Sequence, residues 1–391
     1  MGVALFLLGA VVFLGVRIIE TRRNWCTHFL GLFHAWRRDP VAWLVGLIIL
    51  SGFLSCLLGG FAAETLDNWM SFTVMVLSGV AWFYALCRVP AVRWMTLPRY
   101  IYGVGVFLAL LYTGEIILWK GFDMAVHSER FFLSMRKIGS IFAVVLPFAY
   151  LWVLGQERIR YWVGLAIMVS PVFICGGRSG VVAYVVMTVL FAVMYPWNNL
   201  RHRIASIWAY TLLPFVLGAV GMSGYYFVAG AQTFQTRLAS SDTATGSGRT
   251  DIWHFALTQI MDHPFFGFGI QAFRDLDFSG VQLNSTMHPH NMILEIFLSL
   301  GFVGGSLGMM MGGLIFLRTV WATRRAVVDA DLHNILLLIH ATFAAIVGFV
   351  VAAQFLTSVF HGWWLLYLLL LLAIIGSLSH NFQRQKQWEL Q

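Results

Sequence analysis

Two histidines flank a proline, His288-Pro289-His290, at the start of a long apolar run. Imidazole titrates near neutral pH, so a histidine at a hydrated helix end can take a proton from a hydroxyl group. Proline suits the first turn of a helix, and His290 lies closer than His288 to the apolar run. The residues alone allow either a catalytic base or a histidine that anchors the helix end by a hydrogen bond.

Arg178 is a candidate for binding an anion. It lies in Gly176–Gly180 (GGRSG), which we predict to be a tight turn between two apolar segments. A guanidinium there is costly unless it meets an anion, and guanidinium binds phosphate through two parallel hydrogen bonds. The flanking Gly177 and Gly180 would let a ligand approach the backbone. The alternative role is that of a lipid-headgroup anchor.

Three further ionisable residues are candidates for supporting such a site. Arg249 opens a predicted helix after two glycines, where it could be a second phosphate ligand or a solvated helix residue. Arg136 belongs to a basic loop, Trp119–Lys137, that could attract an anionic headgroup, although such clusters often just bind lipid. Glu295 lies inside an apolar helix, seven residues or two helical turns after His288. It could orient a histidine or pair with an arginine.

The composition is that of a polytopic membrane protein. Of 391 residues, 59% are hydrophobic and 11% are charged, and the mean hydropathy is +0.78, whereas soluble domains carry about 25% charged residues. The net charge of +8 does not indicate nucleic-acid binding, because the basic residues fall in short loops between apolar runs. The four cysteines lack paired spacing, and the sequence contains neither a metal-ligand cluster nor an ATP-binding motif. We therefore predict no disulfide framework, metal or cofactor.

Apolar runs predict an all-α membrane protein with eleven spans, since a span needs about 20 mostly apolar residues. The predicted spans are 2–19, 41–62, 69–87, 101–119, 138–155, 159–176, 179–195, 204–229, 291–317, 333–354 and 357–378. The chain is thus divided into helices 1–8 over residues 1–228, a large loop over 229–290, helices 9–11 over 291–378, and a tail over 379–391.

Two local patterns refine this division. Within the large loop, helical spacing predicts a helix, which Pro264 and the following glycines end. The residues that recur at this spacing are Arg249, Ile252, Trp253, Ala256, Leu257 and Ile260. We expect this helix on the membrane surface, because Trp253 and Phe265 suit the interface. In the following span, a stripe of small residues predicts close helix packing; it consists of Gly304, Gly308 and Gly312.

The distribution of positive charge predicts the orientation in the membrane. Of the 25 Lys and Arg residues, 17 fall in alternate loops, and the side richer in positive charge is the cytoplasmic one. The large loop and the Arg178 turn are then expected on the outer face, with the C-terminus inside. The count also puts Met1 outside. Either a helix absent from the start of this sequence or a short tail that crosses unaided would account for that.

Three segments resemble the O-antigen ligase superfamily, which also holds O-antigen polymerases and pilin-type O-oligosaccharyltransferases. They are GRTDIW (Gly248–Trp253), HPFFGFGIQAF (His263–Phe273) and HPHNMILEIFLSLGFVGG (His288–Gly305). The last segment fits the family pattern of His, then Asn, Ser or Gln, nine residues, Gly, two residues and Gly. The fixed positions are His290, Asn291, Gly301 and Gly304. The motifs cover roughly residues 249–305, and the rest of the chain resembles the family only as a scaffold of many helices.

The resemblance implies a GT-C-like transferase of the bacterial inner membrane with its active site at the periplasmic face. Such a ligase passes a glycan from undecaprenyl diphosphate to a sugar hydroxyl of the lipid A-core oligosaccharide, without metal or ATP. Carried over by position, His290 would be the catalytic histidine, and Arg178 and Arg249 would bind the diphosphate. The family usually has about twelve helices with the N-terminus inside, whereas this sequence predicts eleven.

Three alternatives stay open at this stage. An O-antigen polymerase would use the same donor with a growing glycan as acceptor, and an O-oligosaccharyltransferase would act on Ser or Thr of a protein. A transporter of lipid-linked glycans belongs to a different class. It should tolerate His290→Ala and should carry a polar path through several helices, of which the sequence shows little.

Overall fold

The structure is a computed structural model that describes residues 40–59, 62–87, 89, 91–118, 135–154, 156, 158–174, 178–195, 216, 249–276, 288–326, 333–354, 360 and 362–389. Every regular element in these ranges is a helix. The predicted span 2–19 lies outside the described residues, as does 204–229 apart from residue 216.

Eleven α-helices and one short 3₁₀ helix (Ala272–Asp275) are described. The α-helices are α1 (Pro40–Leu58), α2 (Ala62–Leu86), α3 (Ala91–Trp94), α4 (Leu97–Leu118), α5 (Met135–Leu154), α6 (Ile159–Ile174), α7 (Arg178–Met194), α8 (Arg249–Asp262), α9 (Met292–Ala326), α10 (His333–Ala353) and α11 (Gly362–Glu389).

Three of the described helices are long and apolar enough to cross a membrane, judged by length and composition. They contain the segments Glu64–Leu86, Met292–Arg318 and Ile335–Ala353. Six further helices carry shorter apolar segments of 10–17 residues. Continuous apolar helices suit a bilayer, because a helix satisfies its backbone hydrogen bonds within its own segment.

The chain forms two compact units that interleave along the sequence. The first unit comprises Met1–Arg88, Gly248–Trp321 and Thr357–Gln391. The second unit comprises Val89–Ser247 and Ala322–Leu356. Helix α8 and the start of α9 therefore belong to the same unit as α1, α2 and α11.

In the first unit, α2 packs against both α1 and α11. The indole of Trp69 donates a hydrogen bond to the carbonyl of Ile49 in α1, at 2.9 Å. Gly79 admits the side chain of Leu369 from α11. One hydrophobic cluster joins these helices to the loop after α8 and to α9; its buried members are Ile48, Phe72, Met75, Val76, Ile270, Leu300, Phe360, Leu365 and Leu366.

In the second unit, α5 packs against α4, α6, α7 and α10. The hydroxyl groups of Tyr150 in α5 and Tyr184 in α7 lie 2.6 Å apart and form a buried hydrogen bond. Gly348 in α10 lies against Met187 in α7. These contacts make α5, α7 and α10 the centre of this unit.

Candidate active site

The His288-Pro289-His290 segment forms a compact turn immediately before α9. The two imidazole rings lie with their centroids 4.3 Å apart and their planes inclined by 58°. His290 has a φ of 50°, a left-handed conformation that is uncommon for residues other than glycine. Both histidines are half-buried. The turn therefore holds two imidazoles side by side at the mouth of an apolar helix.

Asn291 begins α9 as its N-cap. Its Oδ1 accepts hydrogen bonds from the amides of Ile293 at 3.0 Å and Leu294 at 3.1 Å. An asparagine cap satisfies amides that have no partner within the helix and is worth about 1 kcal/mol. The residue that follows His290 in the family pattern is thus the one that fixes where the helix starts.

Helix α8 packs directly against the start of α9. Ile252, Ala256 and Ile260 are the buried residues of α8, whereas Leu257, which belongs to the same predicted pattern, is exposed. They share a hydrophobic cluster with Leu298 and with the partly buried Leu294 of α9. The helix ends at Asp262, before Pro264, because the ring of proline disfavours helical conformation in the residue before it.

A side-chain hydrogen bond ties α8 to the histidine turn. The indole Nε1 of Trp253 donates to the carbonyl oxygen of Pro289 at 3.0 Å. Arg249, the first residue of α8, precedes Trp253 by four residues, so the two lie on the same helix face about 6 Å apart along the axis. The structure thus bonds the histidine turn to the same helix that begins with Arg249, one turn before Trp253.

The sequence predicted one continuous span over 291–317. In the structure, α9 instead breaks at Gly301. This glycine has φ 63° and ψ −169°, a combination open essentially only to glycine. In an unbroken helix the amides of Phe302 and Val303 would donate to the carbonyls of Leu298 and Ser299. At the break, these two amides and two carbonyls bond to residues outside α9 instead.

The loop after α8 supplies those partners. Its backbone makes four hydrogen bonds with the break: Phe302 N to Pro264 O at 2.6 Å, Val303 N to Phe265 O at 3.1 Å, Phe268 N to Leu298 O at 2.9 Å, and Gly269 N to Ser299 O at 3.1 Å. Gly267 (φ 68°) and Gly269 (φ 104°) shape the loop to fit. The HPFFGFG and Gly-x-x-Gly motifs are therefore two halves of one structural joint.

The glycine stripe in α9 is only partly a packing surface. A Cβ added at Gly304 would meet the side chain of Ser51 in α1, so this glycine allows close helix contact. At Gly308 and Gly312 such an atom would meet nothing within 4 Å. The prediction of close packing is therefore confirmed at Gly304 and wrong at the other two, within the part of the chain that the structure describes.

Glu295 is buried, with 3% of its surface exposed. Among the carboxylates whose side chains the structure describes, it is the only one in that state. It lies one helical turn after Asn291, and its amide donates to the Asn291 carbonyl at 3.0 Å. A carboxylate held inside an apolar helix end is costly, which keeps Glu295 a candidate functional residue.

Arg178 and Arg136 belong to the second unit. Arg178 is the first residue of α7, so the tight turn predicted over 176–180 is already helical from this residue onward. Gly180 packs against the backbone of Gly139 in α5, at 3.3 Å from an added Cβ, which gives it a role in helix packing. Arg136 lies in the first turn of α5. Their roles as ligands stay predictions.

Two features were not predicted from the sequence: the hydrogen-bond partner of Trp253 and the break in α9. We predicted Trp253 only as an interfacial residue, whereas its indole reaches the histidine turn. Two signals were present in the sequence. Trp253 is spaced one helical turn from Arg249, and Gly267, Gly269 and Gly301 interrupt otherwise apolar runs, as positions needing a positive φ often do.

Residues 163–309 match the family model described as O-antigen ligase. This range contains Arg178, α8, the histidine turn and the break in α9, and the match confirms the resemblance predicted from the motifs. Three rickettsial proteins named as candidate polysaccharide ligases are also similar. Those of Rickettsia typhi and Rickettsia prowazekii are each 25% identical over 127 residues, which cover 30% of this chain and 29% of the relative. That of Rickettsia conorii is 24% identical over 126 residues, covering 30% and 28%.

Proposed function

We propose that this chain, whose residues 163–309 carry an O-antigen ligase family domain, is an O-antigen ligase. It would move a glycan from undecaprenyl diphosphate to a sugar hydroxyl of the lipid A-core oligosaccharide, as an inverting glycosyltransferase. The observation that supports this proposal is the Trp253–Pro289 hydrogen bond, which ties the helix that begins with Arg249 to the histidine turn. The matched relatives support only the general class of polysaccharide ligase, because the chain spans less than a third of their length.

Arg249 and the start of α8 suit a diphosphate. The N-terminus of a helix carries partial positive charge, which adds to that of the Arg249 guanidinium, while Asp251 in the same turn offsets part of it. An arginine and the amides at a helix start together can bind phosphate oxygens through charge-assisted hydrogen bonds. As the diphosphate leaves, its negative charge grows, and these donors would stabilise the transition state more than the ground state.

His290 is the proposed general base. In the reaction, the acceptor oxygen forms a bond to the anomeric carbon while the bond from that carbon to the diphosphate oxygen breaks. The bonding electron pair leaves with the diphosphate, and the hydroxyl proton passes to the imidazole of His290. One displacement with one base inverts the configuration at the anomeric carbon. Positioned bases of this kind contribute roughly 10²–10⁴-fold to rates.

Four other residues have proposed supporting roles. Arg178 is the second diphosphate ligand, and Arg136 attracts the anionic donor. His288, beside His290, helps to hold the acceptor hydroxyl. Glu295, buried one turn below the histidine turn, favours the imidazolium that forms when His290 takes a proton.

The proposed location is the bacterial inner membrane, with the active site on the periplasmic face. The three long apolar helices support a membrane protein, and the positive-charge count supports the orientation. The proposed reaction uses no ATP, because the donor already carries an activated bond, and it uses no metal, because the arginines are assigned the charge of the leaving diphosphate. The partners are the lipid-linked glycan, the lipid A-core acceptor and the surrounding membrane lipid.

A transfer assay tests the proposal. Purified protein in lipid nanodiscs would be incubated with an undecaprenyl-diphosphate-linked glycan and either a lipid A-core acceptor or a second lipid-linked glycan. Transfer to the core acceptor supports the ligase, whereas elongation of the lipid-linked glycan would identify a polymerase instead. Transfer to neither acceptor, nor to a protein acceptor carrying Ser or Thr, would refute a transferase of this family.

A further inference from the structure

Trp253 is held on both sides by the packing of α8. Ile252 and Ala256 next to it are buried, and Trp253 itself packs against the same hydrophobic cluster. Its ring therefore has little freedom, and its N–H has a fixed direction. That N–H donates to the carbonyl of Pro289 at 3.0 Å, between the two histidines.

The hydrogen bond to the Pro289 carbonyl restrains one side of His290. The carbonyl oxygen of Pro289 and the amide nitrogen and Cα of His290 lie in one rigid peptide plane. The φ of His290, which is 50°, is the rotation between this plane and the Cα–C bond that leads to Asn291, so it is set where both sides are held. A residue with a Cβ pays about 1–2 kcal/mol in that conformation. Such strain persists only where the surroundings enforce it.

Asn291 fixes the other side of the same histidine. Its side chain is bound to the amides of Ile293 and Leu294, so the chain on the C-terminal side of His290 is anchored to α9. His290 thus lies between two fixed points, one supplied by α8 and one by α9. Asn291 is a fixed position of the family pattern, but neither its capping role nor the bond from Trp253 was predicted from the sequence.

We propose that Trp253 is a positioning residue that sets the direction of the His290 imidazole relative to the anion-binding end of α8. This inference rests on the proposed function, because it assigns Trp253 a part in placing the base against the reacting sugar. Since Arg249 and Trp253 share a helix face, any movement of α8 shifts the diphosphate ligand and the base together. Their spacing is thereby kept constant.

Trp253→Phe is the direct test, with Trp69→Phe as its matched control. Both indoles donate to a main-chain carbonyl at nearly equal distances, 3.0 Å to Pro289 and 2.9 Å to Ile49. Trp253→Phe should lower kcat roughly 10–100-fold with little change in the KM for the donor, because a base misplaced by about 1 Å costs that much. Trp69→Phe should leave kcat within about twofold. Thermal unfolding of both variants shows whether the loss of one hydrogen bond lowers their stability by the same amount.

A double variant separates positioning from a general loss of structure. If Trp253 acts through His290, then Trp253→Phe should cause no further loss in a His290→Ala background. A loss of equal size in both backgrounds would overturn the proposal, as would a kcat for Trp253→Phe equal to that of Trp69→Phe.

A measurement without substrate keeps the inference separate from the proposed function. The imidazole ¹⁵N signals of His288 and His290 should shift in Trp253→Phe and stay unchanged in Trp69→Phe. Unchanged signals in both variants would overturn the positioning role. A wild-type protein that transfers no glycan would refute the proposed function, and the imidazole signals would still decide whether Trp253 holds the histidine turn.

Discussion

Gly301→Ala should break the joint between α9 and the loop after α8. The backbone of Gly301 has φ 63° and ψ −169°, and holding a residue with a Cβ there costs about 1–3 kcal/mol. The new methyl group would also overlap the backbone of Phe265, and such overpacking costs about 1–3 kcal/mol. The two effects together predict a loss of about 2–6 kcal/mol in the free energy of unfolding.

The chain has a second way to respond, and it has the same functional outcome. With alanine at position 301, α9 could straighten and form its own hydrogen bonds, which would expel the loop segment 264–269. Helix α8 would then lose the support of the four backbone hydrogen bonds that its following loop makes with α9, although its hydrophobic contacts and the Trp253 bond remain. The proposed anion-binding end should shift relative to the histidine turn, so transfer should slow even if the protein remained folded.

Gly308→Ala is the matched control in the same helix. A Cβ there would meet nothing within 4 Å, and replacing glycine by alanine inside a helix gains roughly 0.5–1 kcal/mol. Denaturant unfolding of the purified protein, together with the transfer rate, should show Gly301→Ala impaired and Gly308→Ala normal or slightly stabilised. If the two variants are equally stable and equally active, the joint has no role in holding the site.

Two further predictions concern the charges of the proposed site. Arg249→Ala should weaken donor binding and slow transfer, and Arg249→Lys should restore little, because lysine lacks the paired donors of guanidinium. The control is Arg274→Ala, since Arg274 is exposed and paired with Asp275. Titration with the donor should show normal binding by this control. Glu295→Gln should slow transfer roughly tenfold without loss of fold, since the carboxylate one turn into α9 would favour the imidazolium that forms, and a tenfold loss corresponds to about 1.4 kcal/mol. The exposed Glu64→Gln is its control, and equal rates in the two glutamine variants would remove Glu295 from the mechanism.

Hydrophobic continuity is what made the helices predictable from sequence. The predicted spans 138–155 and 333–354 are observed as α5 (Met135–Leu154) and α10 (His333–Ala353). Such runs have no better conformation than a helix in an apolar environment, because every backbone hydrogen bond is then made locally. The side of the membrane on which each loop lies stays a prediction.

Contacts between residues distant in sequence were not predictable in the same way. A pattern of apolar residues carries no information about the backbone angle φ. Gly301 was therefore predicted to lie within one helix over 291–317. The loop segment that fills the break lies more than 30 residues earlier in the chain. For the same reason, the residue types identified His290 and Arg249 as candidates but did not show that Trp253 joins them.

The most direct test of the proposed mechanism is to measure the turnover of His290→Ala together with its affinity for the donor. We predict that transfer to the core acceptor falls roughly 10²–10⁴-fold, while binding of the lipid-linked donor is kept, because the proposed mechanism assigns the diphosphate to the arginines and not to the histidine. His288→Ala, outside the family pattern, should be milder. Near-normal transfer by His290→Ala together with loss of transfer in His288→Ala would show that the other histidine is the base. Near-normal transfer by both variants would contradict a histidine-based transfer at this turn.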